Sequence, residues 1–195
     1  VILRGTEDRG QGPGIAHLMA RPGAAVVGEH FHPFIVEKFT VLRGRLDARI
    51  AGRTLSLGPG QFATVEAGVA HDWWNGSNTD EAHVLVEVGR AKGAEHFDPD
   101  RFELLIGMLF GLANDGQVDR KGRPFPLQAA VIAREFADVI VFTQPPPAIQ
   151  RLALAILAPL ARWLGYRAIM PSYCKPHAHV TPASDVLAAA GLSAK

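Results

Sequence analysis

The sequence has 195 residues, 48% of them apolar and 20% charged, a balance that excludes disorder and leaves enough chain for one good core and a smaller second layer. Twenty basic residues against nineteen acidic ones give a formal charge of +1 with no basic block, so no nucleic-acid partner is expected. The single cysteine, Cys174, rules out an intrachain disulfide and a cysteine-built zinc site.

In chain order, residues 12–90 form a series of short segments rich in Val, Leu, Ile, Thr and Phe, punctuated by Gly, Pro and Asn. Strands are predicted at 17–20, 24–32, 35–42, 46–51, 53–57, 61–65, 69–73 and 82–88, with turns at Arg43-Gly44 and Gly58-Pro59-Gly60. Many short strands without intervening helical patterns indicate a sandwich or barrel rather than βαβ units. On strand 82–88 the apolar face is Ala82, Val84, Val86 and Val88, which turns His83 and Glu87 outward. His17 is likewise expected at the surface.

The period changes after Gly93. Asp98-Pro99-Asp100 supplies an N-cap aspartate, a proline at the first helical position and an acidic first turn, so a helix is predicted to about Leu112. A second is predicted from Pro126 to Phe142, ended by Pro145-Pro146-Pro147, and a third over 148–164, kinked at Pro159 and capped by Gly165. The tail beyond Pro171 is expected to be loosely held, with at most one short helix in 183–194. The division expected is a barrel over 1–93, a helical extension over 94–170 and a Pro/Ala-rich tail over 171–195. Charged residues interrupt 127–142 and 148–164, so no transmembrane segment is expected. The first thirty residues carry no charged region followed by an apolar one, so no secretion signal is expected and the location expected is cytoplasmic.

The chemistry concentrates in two stretches. Alternation on a strand projects His30 and His32 from one face with Phe31 on the other, and after the turn at Pro33 a returning strand brings Glu37 beside them. His71 follows a glycine turn at Gly68. Three imidazoles and a carboxylate suit one divalent transition ion such as Fe, Mn, Ni, Co, Cu or Zn. Phe39 and Val41 share strand parity with Glu37, and Trp73 with His71, which makes them candidate pocket-lining residues. Cys174, His177 and His179 have metal-friendly types without a recognised spacing and are read as tail.

These residues resemble the two motifs of the cupin superfamily. The first, G(X)5–6HXH(X)3–4E(X)6G, fits Gly23, His30, His32, Glu37 and Gly44; the second, G(X)5PXG(X)2H(X)3N, fits Gly60, Gly68, His71 and Asn75, with Glu66 where the family has proline. The resemblance implies a jelly-roll β-barrel, mainly β with α once the C-terminal helical region is added, and a metal held by His30, His32, Glu37 and His71. It covers about the first half of the chain. Cupins include enzymes and binding proteins, and the reading favoured here is a non-haem metal oxygenase, resembling the four-ligand cupin dioxygenases, acting on a small organic molecule. The alternatives are a metal-dependent isomerase, cyclase or lyase in which Glu37, the candidate catalytic residue, or an unassigned base moves a proton, and a non-catalytic small-ligand module. The lack of a helix-turn-helix or basic recognition helix argues against the cupin transcription regulators. The apolar helical faces are expected to cover the barrel, form a homodimer interface, which is the favoured reading, or touch a membrane surface.

Overall fold

Period-two alternation decides the first half of the molecule. The computed structural model describes residues 2–4, 12–25, 28–119, 123–174 and 184–191. Nine strands precede the first helix among the described residues: β1 Ile2–Arg4, β2 Gly14–Ala20, β3 His30–Phe31, β4 Ile35–Arg43, β5 Leu46–Ile50, β6 Arg53–Leu57, β7 Phe62–Val65, β8 His71–Asn75 and β9 Ala82–Arg90. Strand β4 buries Ile35, Glu37, Phe39 and Val41 and turns the residues between them outward. Strand β9 buries Ala82, Val84, Val86 and Val88 as its alternation predicts. Burying the valine, isoleucine and phenylalanine side chains among them stabilises the fold by roughly 1.5–3 kcal/mol each.

A tenth strand, β10 Val141–Phe142, completes two antiparallel five-stranded sheets, ordered β1-β2-β9-β4-β7 and β10-β3-β8-β5-β6. Together they form a jelly-roll β-barrel. Gly44, between β4 and β5, sits at φ +79°, and a Cβ there would strike the Glu81 carbonyl. Only glycine fits that turn. Glu66 opens the turn closed by Val69 N–H donating to the Glu66 carbonyl at 3.1 Å. Gly68 carries the positive φ of +78° within it, so the turn forms without the family's proline.

The helices are α1 Asp100–Asn114, α2 Pro126–Glu135, α3 Pro147–Trp163 and α4 Ser184–Ala189, with a 3-10 turn at Pro171–Tyr173. Helix α1 starts at Asp100 with Pro99, not Asp98, at its N-cap position, and the Asp98 carboxylate just ahead of it accepts from the Asp100 N–H at 3.1 Å. Helix α3 runs through Pro159 without a break, and Gly165 at φ +91° ends it. One apolar core joins barrel and helices: Ile35, Phe39, Val65 and Val86 belong to the same buried cluster as Leu105, Met108, Val131 and Phe136.

Four expectations are corrected. Of the strand expected over 24–32, the described residues form only the two-residue β3, with His32 just past its end. Helix α2 stops at Glu135, not Phe142; the run Val139-Ile140-Val141-Phe142 is β-branched and aromatic, and its last two residues pair with Phe31 and His30 as β10. His17 is buried rather than superficial, 8% exposed. The tail is not wholly loose, because Val186 of α4 packs on Ile15 and Leu85 of the outer sheet face. His177 and His179 lie outside the described residues. Among the described residues no helix is long and apolar enough to cross a membrane.

Candidate metal centre

The barrel folds its four candidate ligands onto one another. His30 ends the turn that begins at Gly28, His32 follows β3, Glu37 faces inward from β4, and His71 opens β8 directly opposite His30. All four are buried, and their ligand atoms lie within 4.8 Å of one another. That spread is close to the roughly 3–4.4 Å separations that bonds of ~2.0–2.2 Å to a single ion impose.

Backbone carbonyls orient the imidazoles. His30 Nδ1 donates to Gly28 O at 2.9 Å, His71 Nδ1 to Val69 O at 3.0 Å and His32 Nδ1 to Val139 O at 2.6 Å. A carbonyl can only accept, so each ring carries its proton on Nδ1 and turns Nε2 inward. Such outer hydrogen bonds are how proteins fix the tautomer and aim of a metal-binding histidine. Glu37 Oε2 lies 3.0 Å from His71 Nε2 and 3.2 Å from His32 Nε2. His32 Nε2 is nonetheless a buried polar atom without a hydrogen-bond partner, which an ion at the centre of the four would satisfy.

Burial sets the electrostatics. Desolvation pushes His30 down to about 4, helped by the neighbouring His32 and His71 rings. Burial also pulls on His32, but the Glu37 charge outweighs it and raises that imidazole above its ordinary value. Burial would lift the Glu37 carboxyl, yet His32 and His71 hold it well below the usual carboxylate range. The carboxylate is thus ionised and poised to share a cation.

Residues 16–89 match the family described as Cupin domain. They are a cupin domain. Solved structures similar to this chain include a cupin protein from Bacteroides fragilis at 18% identity, covering 43% of this chain and 70% of that one with a TM-score of 0.37. A sugar phosphate isomerase from a cupin superfamily, from Silicibacter pomeroyi, is 26% identical over 46% of this chain and 59% of that one, with a TM-score of 0.40. KdgF from Halomonas sp. is 15% identical over 48% and 79% of the two chains, with a TM-score of 0.40. No curated protein matched the sequence.

Of the candidate lining residues, the Phe39 ring lies 6.4 Å from both His71 and Trp73, and Val41 is fully buried in the core. Two aromatic neighbours were missed in the sequence, both beyond the cupin domain: Phe102 of α1, 5.6 Å from His32, and Phe142 of β10, 6.1 Å from His30. The β-branched run before Phe142 was the signal that could have found the second. Outside the centre, His17 Nε2 meets His83 Nδ1 at 3.3 Å on the outer face of the first sheet. The exposed Cys174 hydrogen-bonds Met170 O at 3.4 Å.

Proposed function

We propose that this cupin is a metal-dependent oxygenase that acts on a small organic molecule, with His30, His32, Glu37 and His71 holding one divalent transition ion. The observation that carries the reading is the convergence of three Nδ1-tethered imidazoles on a single buried carboxylate. The ion, when bound, supplies the electrons and Lewis acidity for reaction with dioxygen. The protein's part is to hold the ligands rigid and to keep water out with Phe39, Trp73, Phe102 and Phe142.

A proton-shuttling isomerase fits less well. The groups acting electrostatically on His30, His32 and Glu37 are one another, His71 and the carbonyls that tether the rings. Glu37, once a ligand, is not free to move a proton, so this reading leaves the chemistry to the ion.

The deciding experiment is metal analysis of anaerobically purified protein followed by substrate-dependent oxygen uptake. Iron with oxygen consumption supports the oxygenase; a redox-inert ion without oxygen uptake overturns it in favour of the Lewis-acid or binding reading. His30→Ala and His71→Ala should each remove most of the metal while leaving the barrel folded, because apolar burial supplies its stability. Full occupancy in both variants would refute the ligand assignment. In this reading the protein works in the cytoplasm as a homodimer, the second copy covering the exposed apolar face of α3.

A further inference from the structure

Two of the three histidine tethers are local. The carbonyls that fix His30 and His71 come from Gly28 and Val69, each two residues away within the cupin domain. The third is not, since His32 Nδ1 donates to Val139, a residue 107 positions away and far outside the matched domain.

Val139 is presented by a turn that is clamped from both ends. On one side, Arg101 of α1 forks onto Asp138, with Nε to Oδ2 at 2.6 Å and Nη2 to Oδ1 at 2.9 Å. The same guanidinium donates to the Glu135 carbonyl at 2.6 Å and lies 5.2 Å from the Phe136 ring centre. Every one of these contacts falls on the four residues before Val139. On the other side, Thr143 N–H donates to Glu29 O at 3.0 Å and Thr143 Oγ1 to Glu29 Oε2 at 2.8 Å. Between the clamps, β10 pairs with Phe31 and His30 and sets Phe142 beside the His30 ring.

We infer that Arg101 is a positioning residue for the metal centre, acting through the 135–143 segment to hold the Val139 carbonyl on His32. A planar, five-donor guanidinium can fork onto a carboxylate with two parallel bonds and still reach a carbonyl, a geometry lysine's single nitrogen does not match. The helical region thus supplies a working part of the site, and this inference rests on the metal-binding reading above.

The test measures metal affinity by chelator competition and, in the metal-free protein, the Nδ1–H resonances of the three histidines. Arg101→Gln and Asp138→Asn should each weaken metal binding by about 10–100-fold, the range typical for loss of an outer-shell partner. The double variant should be no worse than either single one, because both break the same clamp. The His32 Nδ1–H signal should broaden or exchange faster while those of His30 and His71 persist, a selectivity that general loosening would not produce. Thr143→Val, at the other clamp, should weaken binding in the same direction by less and serves if the Arg101 variant fails to fold. Wild-type affinity with an unchanged His32 signal in the variants, or equal loss of all three signals, overturns the inference. If the wild-type protein binds no metal at all, the ligand reading fails, and the selective His32 effect still decides the role of Arg101.

Discussion

At the scale of single residues, the three histidines converge on one carboxylate with unequal electrostatics. A histidine binds a transition ion through a neutral nitrogen, so protons and metal compete for the same lone pair. His32, raised above its ordinary value by Glu37, keeps its proton to higher pH than a free imidazole, whereas His30, pushed down to about 4 by burial, gives up its own long before neutrality. Lowering the pH therefore loads His32 first. Apparent metal affinity should begin to fall above the ~6.5 of a free imidazole, by up to roughly tenfold per unit as pH drops, and more steeply near pH 4 as His30 joins. Chelator competition from pH 8 to pH 4 checks this, and a flat profile would count against a three-histidine site. The identity of these residues was legible because both motifs are local: the spacing of His30, His32 and Glu37 fits one strand, a turn and the next strand. The choice of ring nitrogen was not, since for His32 it depends on a carbonyl brought from residue 139 by the tertiary fold.

At the scale of elements, the strands were readable because alternation must match the pleat of a half-buried sheet. One mistaken stretch was 24–32, where only His30–Phe31 is strand among the described residues; the other was 136–142, where an apolar run is compatible with either helix or buried strand. Arg101 settles it by capturing Asp138 and the Glu135 carbonyl just as α2 ends, which frees the next residues to pair with β3. The burial of His17 went unseen for a similar reason, because α4 reaches the first sheet from the far end of the sequence. That contact can be tested apart from the metal centre. Val186 is 5% exposed against Ile15 and Leu85, on the face of the sheet opposite the ligands. Val186→Asp should release α4 and lower stability by about 1–2 kcal/mol, somewhat less than the full burial of a valine. Metal affinity should stay at the wild-type value. A denaturation midpoint unchanged from wild type would show that α4 contributes nothing to the barrel.

At the scale of the whole molecule, burial is asymmetric in a way that points outward. The barrel and helices share one core, yet α3 buries only its small residues Ala158 and Ala161 and packs on α2 alone among its substantial helix neighbours. Its large side chains Ile149, Leu152, Ile156, Leu160 and Trp163 recur at three- and four-residue intervals on the exposed side, with Leu152 68% and Trp163 81% accessible. Leu157 and Leu164 of the same helix end are also exposed, and a run of large apolar side chains left uncovered on one helix is what marks an interaction surface. A membrane surface is the poorer match, because α3 carries only Arg151 and Arg162, and Arg162 is engaged by Glu135 at 3.1 Å. A second copy, laying its own α3 against this one, would cover both stripes at once. The protein should therefore sediment as a dimer at micromolar concentration, and Leu152→Glu combined with Ile156→Glu should convert it to a folded monomer with its metal affinity intact. A wild-type monomer, a dimer indifferent to the two substitutions, or vesicle binding that they abolish would each overturn the proposal that α3 pairs with its own copy.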